Sequence, residues 1–384
     1  MRGVNVLTAG GELRLHRRYH WQKGQASVCL ADTALGIDEQ KISPGARQMC
    51  CLIGVGENFR QAVVDLKKLA GLSLSKEKLR QVVQAEAAQV RKVRDSGSLP
   101  ASWSASEAKL PDGKTRIYVG VDGVMAPTVT QVEKDKRRQQ HVTRRQQRGK
   151  AGLDNARPLP PPKAGTDEKF KEMKIGVFYD QAKERRHVFA TEETSKDFGP
   201  LLATHARLIG LENAQETLGR VDGAVWIYQQ ICLALLFISS ILLDFYHLAE
   251  HVHAAARCCL GEGTPAASAW AAALLAQAKE SEITGMLRAI EELEKRMRSQ
   301  KKKQSLGALR YYIEERRDML DYAQALRDGQ DIGSGPTEAE CKTLTIRLKG
   351  PGMKWDRDHA AGMMNLIALR ESGQWDPYWL RQAA

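Results

Sequence analysis

The stretch that decides the fold is IGSGPTEAECKTLTIRLKGPGMKWD, residues 332–356. Its Gly-Ser-Gly opening permits backbone angles that other residues avoid, and Pro336 suits a first helical position because its missing N–H costs nothing there. We predict a helix from Pro336 to about Leu348, ended by the Gly-Pro-Gly that follows. Glu338 then lies in the first turn, where the helix dipole favours an ionised carboxylate.

A basic and aromatic strip follows Glu338. Tryptophans are more often core residues than platforms for bases, but the cations on either side of Trp355 favour a surface position for it. A carboxylate at a helix start beside such a strip suits a metal ion held against a nucleic-acid backbone. The residues of the strip expected to contact DNA are Lys342, Arg347, Lys349, Lys354 and Trp355.

Composition narrows the class of partner. A net charge of +12 and a pI near 9.3 point to a polyanion, either nucleic acid or an acidic membrane surface. The seven cysteines form no CxxC pair, so neither a zinc site nor a disulfide framework is indicated, which fits a reducing cytoplasm. The longest apolar run, residues 231–243, is too short to span a bilayer and is predicted to be a buried helix end followed by a buried strand.

The first part of the chain divides into three segments. Residues 1–40 alternate apolar and basic side chains, which is typical of a strand or hairpin. Residues 41–94 contain two amphipathic helices, the first stopped by Gly71 and the second capped by Ser75. This pair fits a DNA-binding helix-turn-helix and an ordinary helical hairpin equally well. Residues 95–113 have a linker composition.

The remainder predicts an α/β domain with a mixed sheet. Strands are expected at 115–121, 173–179, 186–191, 217–221 and 240–245, with helices at 195–210 and 226–236. From 247 to about 327 the chain is helical and amphipathic. Two basic runs stand out, at 134–150 and at 295–303. We expect the first to be a solvated loop able to close on phosphates. The runs supply further candidate DNA contacts, which are Lys136, Arg137, Arg138, Arg144, Arg145, Lys301, Lys302 and Lys303.

Two acids stand at equivalent places, each followed by glycine. Asp122 and Asp222 both come directly after a predicted strand, where α/β scaffolds present catalytic side chains. Asp-Gly is also a common turn dipeptide, so either pair alone would more often be a turn. With Glu338 they make three carboxylates able to bind two Mg²⁺, with Mn²⁺ as a substitute. Two metals ~4 Å apart serve in-line displacement at phosphorus.

The chain resembles DDE transposases of bacterial insertion sequences, in particular the ISKra-type group, which is distantly Mutator-like. The resemblance rests on VGVDG at 119–123, FKEMKIGVFYD at 170–180, VDGAVWI at 221–227, ILLDFYHLAEHVH at 241–253 and residues 332–355. Relatives often carry a cysteine-rich N-terminal segment, whereas here only Cys29 remains of it, and the resemblance leaves room for a region upstream.

This resemblance implies an RNase H-like catalytic core formed by residues 114–253 and 331–384, with a helical insertion at 254–330 and the helical DNA-binding region in front. It implies that Asp122, Asp222 and Glu338 are catalytic, with Asp244 and His247 as an auxiliary DxxH pair. It also implies a cytoplasmic, nucleoid-associated transposase that binds transposon ends and target DNA as a homo-oligomer. A DNA-binding relative without activity and an RNase H-like nuclease are the alternatives.

Overall fold

The computed structural model describes residues 2–21, 23, 28–37, 41–148, 159 and 161–383. Within these ranges the strands are β1 (Arg2–Thr8), β2 (Gly11–Arg17), β3 (Arg116–Pro127), β4 (Phe170–Asp180), β5 (Arg186–Thr191), β6 (Glu216–Val221) and β7 (Ser240–Leu243). The helices are α1 (Leu30–Ala34), α2 (Pro44–Gly56), α3 (Phe59–Ala70), α4 (Lys76–Asp95), α5 (Gln131–Gln147), α6 (Ser195–Leu208), α7 (Val225–Ala234), α8 (Phe245–Leu260), α9 (Pro265–Lys279), α10 (Ile283–Arg296), α11 (Gln300–Glu314), α12 (Tyr322–Arg327), α13 (Gly335–Ile346), α14 (Arg357–Glu371) and α15 (Trp375–Ala383).

A five-stranded mixed sheet organises the α/β part of the chain. Its order is β5-β4-β3-β6-β7, with β4 antiparallel to both β3 and β5, and with β6 and β7 parallel to β3. The α/β class and the mixed sheet predicted from sequence are therefore confirmed. All five expected strands are present, and β3 and β4 are longer than predicted.

The two faces of the sheet belong to two hydrophobic clusters. Alternate residues of β3, such as Val119 and Val121, pack with α6–α12 on one face. Tyr118 on the other face packs with the helices α2–α4 and α13–α15. The N-terminal helices thus share one continuous core with the sheet. Residues 95–113, which join these helices to the sheet, are packed as well, since Leu99 and Trp103 are buried. The division into domains stays a prediction.

Local signals in the N-terminal part are confirmed. The hairpin of β1 and β2 lies within residues 1–40, and β1 pairs antiparallel with β2. Gly71 ends α3 in the left-handed region at φ 67°, and the Ser75 side chain accepts a hydrogen bond from the Lys78 amide at 3.1 Å. Both devices satisfy backbone groups that a helix end leaves unpaired.

The loop predicted for the basic run at 134–150 is wrong for its described part. Residues 131–147 form α5, which begins with a capping box between Thr130 and Glu133. Its first turn is fixed to the segment before α14, because Lys354 pairs with Glu133 and Lys134 lies 2.7 Å from Asp356. No residue of α5 is buried. The basic run is therefore an exposed helix with an anchored start.

The apolar run at 231–243 forms the end of α7, a turn and β7, as predicted, but parts of it are exposed. Leu233 and Leu236 are largely accessible to solvent, so the helix end is not buried throughout. Among the described residues, no helix combines the length and hydrophobicity required to cross a bilayer. The four long helices α8–α11, with α12, make up the helical region expected after residue 247.

Candidate active site

Three aspartates lie in a row at one edge of the sheet. Val121 of β3 pairs with Val221 of β6, and Val221 pairs with Leu243 of β7. In each case the next residue along the chain is an aspartate: Asp122, Asp222 and Asp244. Because parallel neighbours lie about 4.8 Å apart, the register alone brings the backbones of the three acids side by side. We call this set the acidic row.

Asp122 differs from its predicted position at a strand end. β3 continues to Pro127, and Asp122 pairs with Ile175 of β4 in the middle of the strand. The Asp-Gly dipeptide here is thus extended strand and not a turn. Beyond Gly123 the β3–β4 pair extends past the acidic row as a two-stranded ribbon, which leads into α5.

The carboxylate of Asp122 is held by two donors. The Cys341 thiol of α13 donates to Oδ2 at 3.3 Å, and the Gly123 amide donates to Oδ1 at 2.6 Å. Burial raises the pKa of Asp122, and the nearby Asp222 charge raises it further, while both hydrogen bonds and His247 oppose this shift. The two aspartates therefore interact electrostatically, and a cation beside them would favour the ionised form.

Asp222 sits on a turn that the helical insertion supports. Its Oδ1 accepts from the Ala224 amide at 2.9 Å, and its backbone carbonyl accepts from the Tyr312 hydroxyl at 3.2 Å. Arg316 donates to the Gly223 carbonyl at 2.8 Å and lies over the Tyr312 ring. Gly223 has φ 85°, a conformation that side chains other than glycine rarely adopt. Residues far along the chain thus determine where Asp222 lies.

Asp244 is fully buried, and both of its oxygens are occupied. Oδ1 accepts from the Tyr246 and His247 amides at 2.6 and 3.1 Å, which caps α8. Oδ2 accepts from the amide and the hydroxyl of Ser334, the residue just before α13. Asp244 therefore joins the start of α8 to the start of α13. These contacts make it a positioning residue and leave no free oxygen for a ligand.

His247 follows in the first turn of α8 and is half-buried. Its Nδ1 lies 3.8 Å from a Glu250 oxygen, and its charge state influences Asp122. One turn further, His251 stacks on Tyr312 at a ring separation of 3.9 Å, and burial lowers its pKa. His247 therefore lies near the acidic row, whereas His251 packs against the insertion.

Glu338 is in the first turn of α13, as predicted, and is half-buried. Two contacts of α13 with β3 place it. Thr337 packs directly over Gly120, and Cys341, one turn after Glu338, contacts Asp122. Since residues i and i+3 share a helix face, the Glu338 carboxylate points to the same side as the Cys341 thiol. Gly333 and Gly335 do not need the unusual backbone angles expected of them, because neither has a positive φ.

The three predicted metal ligands are brought to one region without forming a closed ligand set. Within the described ranges, the group of three potential ligand residues with all donor atoms inside 4.8 Å of one another is Asp356, Asp358 and His359. The donor atoms of Asp122, Asp222 and Glu338 do not all lie within 4.8 Å of one another.

The group at the start of α14 has other partners. Lys134 lies 2.7 Å from an Asp356 oxygen, and His359 Nδ1 lies 3.5 Å from the other. Burial lowers the pKa of His359. Their DRDH spacing at 356–359 is visible in the sequence, yet none of the three is among the predicted site residues.

Trp355 and Arg347, two of the predicted DNA contacts, are buried, so the surface position expected for Trp355 is wrong. Trp355 donates through its indole N–H to the Leu348 carbonyl at 3.2 Å. The Arg347 guanidinium donates to the Gly54 carbonyl at 3.0 Å and stacks between Phe59 and Trp355. Burial lowers the pKa of Arg347 to about 10. These two side chains form a core contact between the segment that follows α13 and the N-terminal helices.

Glu340 is a second acid of α13, two residues after Glu338. It is buried and accepts a hydrogen bond from Arg186 at 2.9 Å, while burial raises its pKa. A lone buried carboxylate is costly, and the paired guanidinium offsets that cost. Glu340 therefore helps to attach α13 to β5 and faces away from the acidic row.

The other predicted DNA contacts lie on the surface. The Lys302 amine donates to the Cys259 carbonyl at 2.7 Å, and Lys354 pairs with Glu133, so these two also have structural partners. The remaining side chains are exposed or half-exposed: Lys136, Arg137, Arg138, Arg144, Arg145, Lys301, Lys303, Lys342 and Lys349.

Sequence reasoning missed the residues that support the acids. Cys341 and Ser334 lie within the stretch that decides the fold, and their spacing from Glu338 was the available signal. Tyr312 and Arg316 had no such signal, because they reach Asp222 only through the packing of the insertion.

The comparisons with known proteins add no family to this geometry. No protein-family model matches the chain, and no curated protein is significantly similar to it.

Proposed function

We propose that this chain is a DDE-type DNA transposase that cleaves the ends of an insertion sequence and joins them to target DNA. The observation that carries the proposal is the register of β3 and β6, which places Asp122 beside Asp222, with Glu338 supplied by a helix bound to the same strand. Carboxylates presented side by side on adjacent strands and completed by a helix suit phosphoryl transfer.

The strand order supports an RNase H-like core. Three antiparallel strands, β5, β4 and β3, are continued by the parallel strands β6 and β7. This arrangement is compatible with the RNase H-like fold that the sequence resemblance implies. The helices α9–α12 lie between α8 and α13 along the chain, where that resemblance expects an insertion.

The donor set fits a hard divalent cation. Asp122, Asp222 and Glu338 offer carboxylate oxygens, which Mg²⁺ prefers, and the Asp222 charge already raises the pKa of Asp122. These three residues would hold two Mg²⁺, or Mn²⁺ in their place. When bound, the cations would activate an attacking hydroxyl and stabilise the leaving oxygen of an in-line displacement.

The surrounding residues orient these carboxylates. Cys341 fixes one oxygen of Asp122, and the Ala224 amide fixes one oxygen of Asp222. Asp244 holds the start of α13 through Ser334, so that Glu338 is carried on a fixed helix. Positioning of this kind matters because displacements near 1 Å at a reacting centre reduce rates by about 10²-fold.

The basic helix α5 would bind the phosphate backbone of the DNA. It follows the ribbon that extends past the acidic row, and it carries exposed Lys and Arg side chains along its length. Binding should weaken as salt increases, because phosphate contacts release counterions. A polyanionic partner also relieves the repulsion between neighbouring like charges on this helix.

The test is Mg²⁺- or Mn²⁺-dependent cleavage of duplex DNA carrying the end sequence of the element that encodes the chain. We expect Glu338→Gln, which keeps size but removes the charge, to lose cleavage by at least about 10³-fold while DNA binding is unchanged. The matched control is Glu77→Gln, which removes a first-turn carboxylate from α4, far along the chain from the acidic row. This control should cleave as the wild type does.

Two further outcomes separate the alternatives. Joining of a 3′-hydroxyl end to plasmid DNA identifies a transposase, whereas cleavage without joining identifies a nuclease. Equal cleavage by wild type and Glu338→Gln would remove Glu338 from the site and refute the proposal. Loss of cleavage in Asp358→Asn, with Asp122→Asn still active, would move the metal site to the start of α14.

A further inference from the structure

An apolar surface covers the outer side of α7 and the turn that leads from it to β7. Val225, Tyr228 and Leu233 lie on the exposed side of the helix, with the exposed amide of Gln229 among them, and the exposed Leu236 and Phe237 follow in the turn. The exposed fractions of the five apolar side chains are 61%, 39%, 72%, 87% and 41% in chain order. We call these five residues the α7 face.

The α7 face is not a displaced part of the core. The opposite side of the same helix already supplies core residues, since Ile227, Ile231 and Leu235 are essentially fully buried. α7 contains Gln229 and Gln230 but no charged residue, and adjoining exposed apolar side chains of this kind often mark a contact with a partner. Here one side packs on the sheet, and within the described residues the other side is left to solvent.

The charge distribution excludes polyanions from the α7 face. Residues 223–243 contain no Asp, Glu, Lys, Arg or His, although the whole chain carries a net charge of +12. DNA binding depends on cations that this face lacks, and an acidic protein would need them too. Two copies of the chain repel each other over most of their surface, and an uncharged face is where that repulsion is weakest.

The area of the face fits a dimer of ordinary size. The five exposed fractions together equal about three whole side chains, or roughly 600 Å² if a large apolar side chain exposes about 200 Å². A standard interface buries about 800 Å² on each partner, and homodimer interfaces are about 65% apolar. Together these figures give roughly 520 Å² of apolar surface on each partner, and the α7 face by itself supplies that area.

We infer that the α7 face is a homodimer interface, in which a second copy of this chain packs its own α7 face against the first. An isologous contact of this kind needs one self-complementary patch, and a largely apolar, uncharged surface can supply one. β7, the last strand of the sheet among the described residues, follows the α7 face directly in the chain. Asp222 precedes Val225, the first residue of α7, by three positions, so an acidic row lies next to the start of each α7 face. The dimer would therefore fix the separation of two active sites.

Sedimentation velocity of the full chain, without DNA or metal, tests this inference over roughly a hundredfold range of concentration. We expect a dimer whose stability does not fall as salt increases. Leu233→Arg combined with Leu236→Arg should weaken dimerisation by on the order of 100-fold or more, because charges would be buried unpaired at the interface. Both positions are exposed in the single chain, so the thermal unfolding midpoint of the monomer should stay near that of the wild type.

The matched control adds the same two charges elsewhere. Leu69→Arg with Leu380→Arg alters two leucines that are 79% and 71% exposed, and this variant should still dimerise as the wild type does. A monomeric wild type overturns the inference, also if it then floats with neutral phosphatidylcholine vesicles, which would assign the face to lipid. A dimer that survives the Leu233 and Leu236 changes overturns it as well. Since neither DNA nor cleavage enters the measurement, its result is independent of the proposed transposase activity.

Discussion

Replacing Gly120 by alanine should separate α13 from the sheet and displace Glu338. Gly120 lies in β3 two residues before Asp122, on the face of the sheet that α13 covers. A Cβ added there would be 2.9 Å from the Thr337 Cβ and 3.1 Å from its Cγ2, and closer still to Oγ1. Thr337 is buried, so its side chain has little space to retreat, and among the described residues its hydroxyl has no hydrogen-bond partner.

The size of the displacement follows from these distances. A rotation of Thr337 removes the contact with Oγ1 but leaves the Cβ–Cβ separation at 2.9 Å. Carbon atoms pack best about 3.5–4.0 Å apart, so α13 must retreat by about 0.6–1 Å. Glu338 is the next residue and moves with it. Overpacking of this kind costs about 1–3 kcal/mol of unfolding free energy, and a shift near 1 Å costs about 10²-fold in rate.

Urea unfolding measures the loss of stability, and initial rates of metal-dependent cleavage measure the loss of activity. Gly307→Ala in α11 is the matched control, because a Cβ added there meets no atom within 4 Å. It should leave cleavage unchanged and raise helix stability by up to about 1 kcal/mol. Adding Thr337→Gly to Gly120→Ala should restore more activity than adding Thr337→Ala, which keeps the Cβ contact. Wild-type stability and cleavage in Gly120→Ala would refute the packing argument.

Three further predictions test other parts of the structure. Asp244→Asn places two N–H donors where the carboxylate accepts four hydrogen bonds. It should therefore lower the unfolding free energy in urea by about 1–3 kcal/mol and reduce cleavage without changing DNA affinity. Unchanged stability would contradict the positioning role of Asp244. His187 and His205 are fully buried, 2.8 Å apart between ring nitrogens, and burial lowers both pKa values well below 6.5. The unfolded state therefore binds protons that the folded state does not. The contribution of this pair to the unfolding free energy should be constant above about pH 6.5 and fall below it by up to about 1.4 kcal/mol per pH unit for each histidine. A His187→Gln variant with an equally steep fall would contradict this. Arg137→Gln should reduce the slope of log affinity for DNA against log salt by about 1, whereas Arg347→Met should destabilise the fold and leave that slope unchanged. Fluorescence anisotropy with labelled duplex at several salt concentrations measures both slopes.

Local signals in the sequence determined most of the secondary structure. Apolar runs predicted the five strands of the main sheet, and Gly71 and Ser75 marked a helix end and a helix start that the structure confirms. These devices act within a few residues, so their outcome does not depend on the rest of the chain. One local signal was overlooked: Thr130 and Glu133 have the spacing of a capping box, and they begin a helix where the density of charge suggested a loop.

The candidate site was only partly contained in the sequence. Asp122, Asp222 and Glu338 were identified from their places after strands and at a helix start, but their alignment depends on which strands pair and in what register. Register is a property of the whole sheet, since a slip of one residue would turn every side chain to the other face.

Burial was decided by the tertiary structure alone. Arg347, Glu340 and Trp355 have the composition of a surface strip, yet all three are buried, because α13 packs between the sheet and the N-terminal helices. The exposure of Leu233 and Leu236 is the opposite case, with apolar residues left on the surface. The sequence specifies which groups each element presents, and only the contacts between distant elements decide whether those groups meet solvent, a protein partner or each other, because burial is a sum over neighbours that the local chain does not contain.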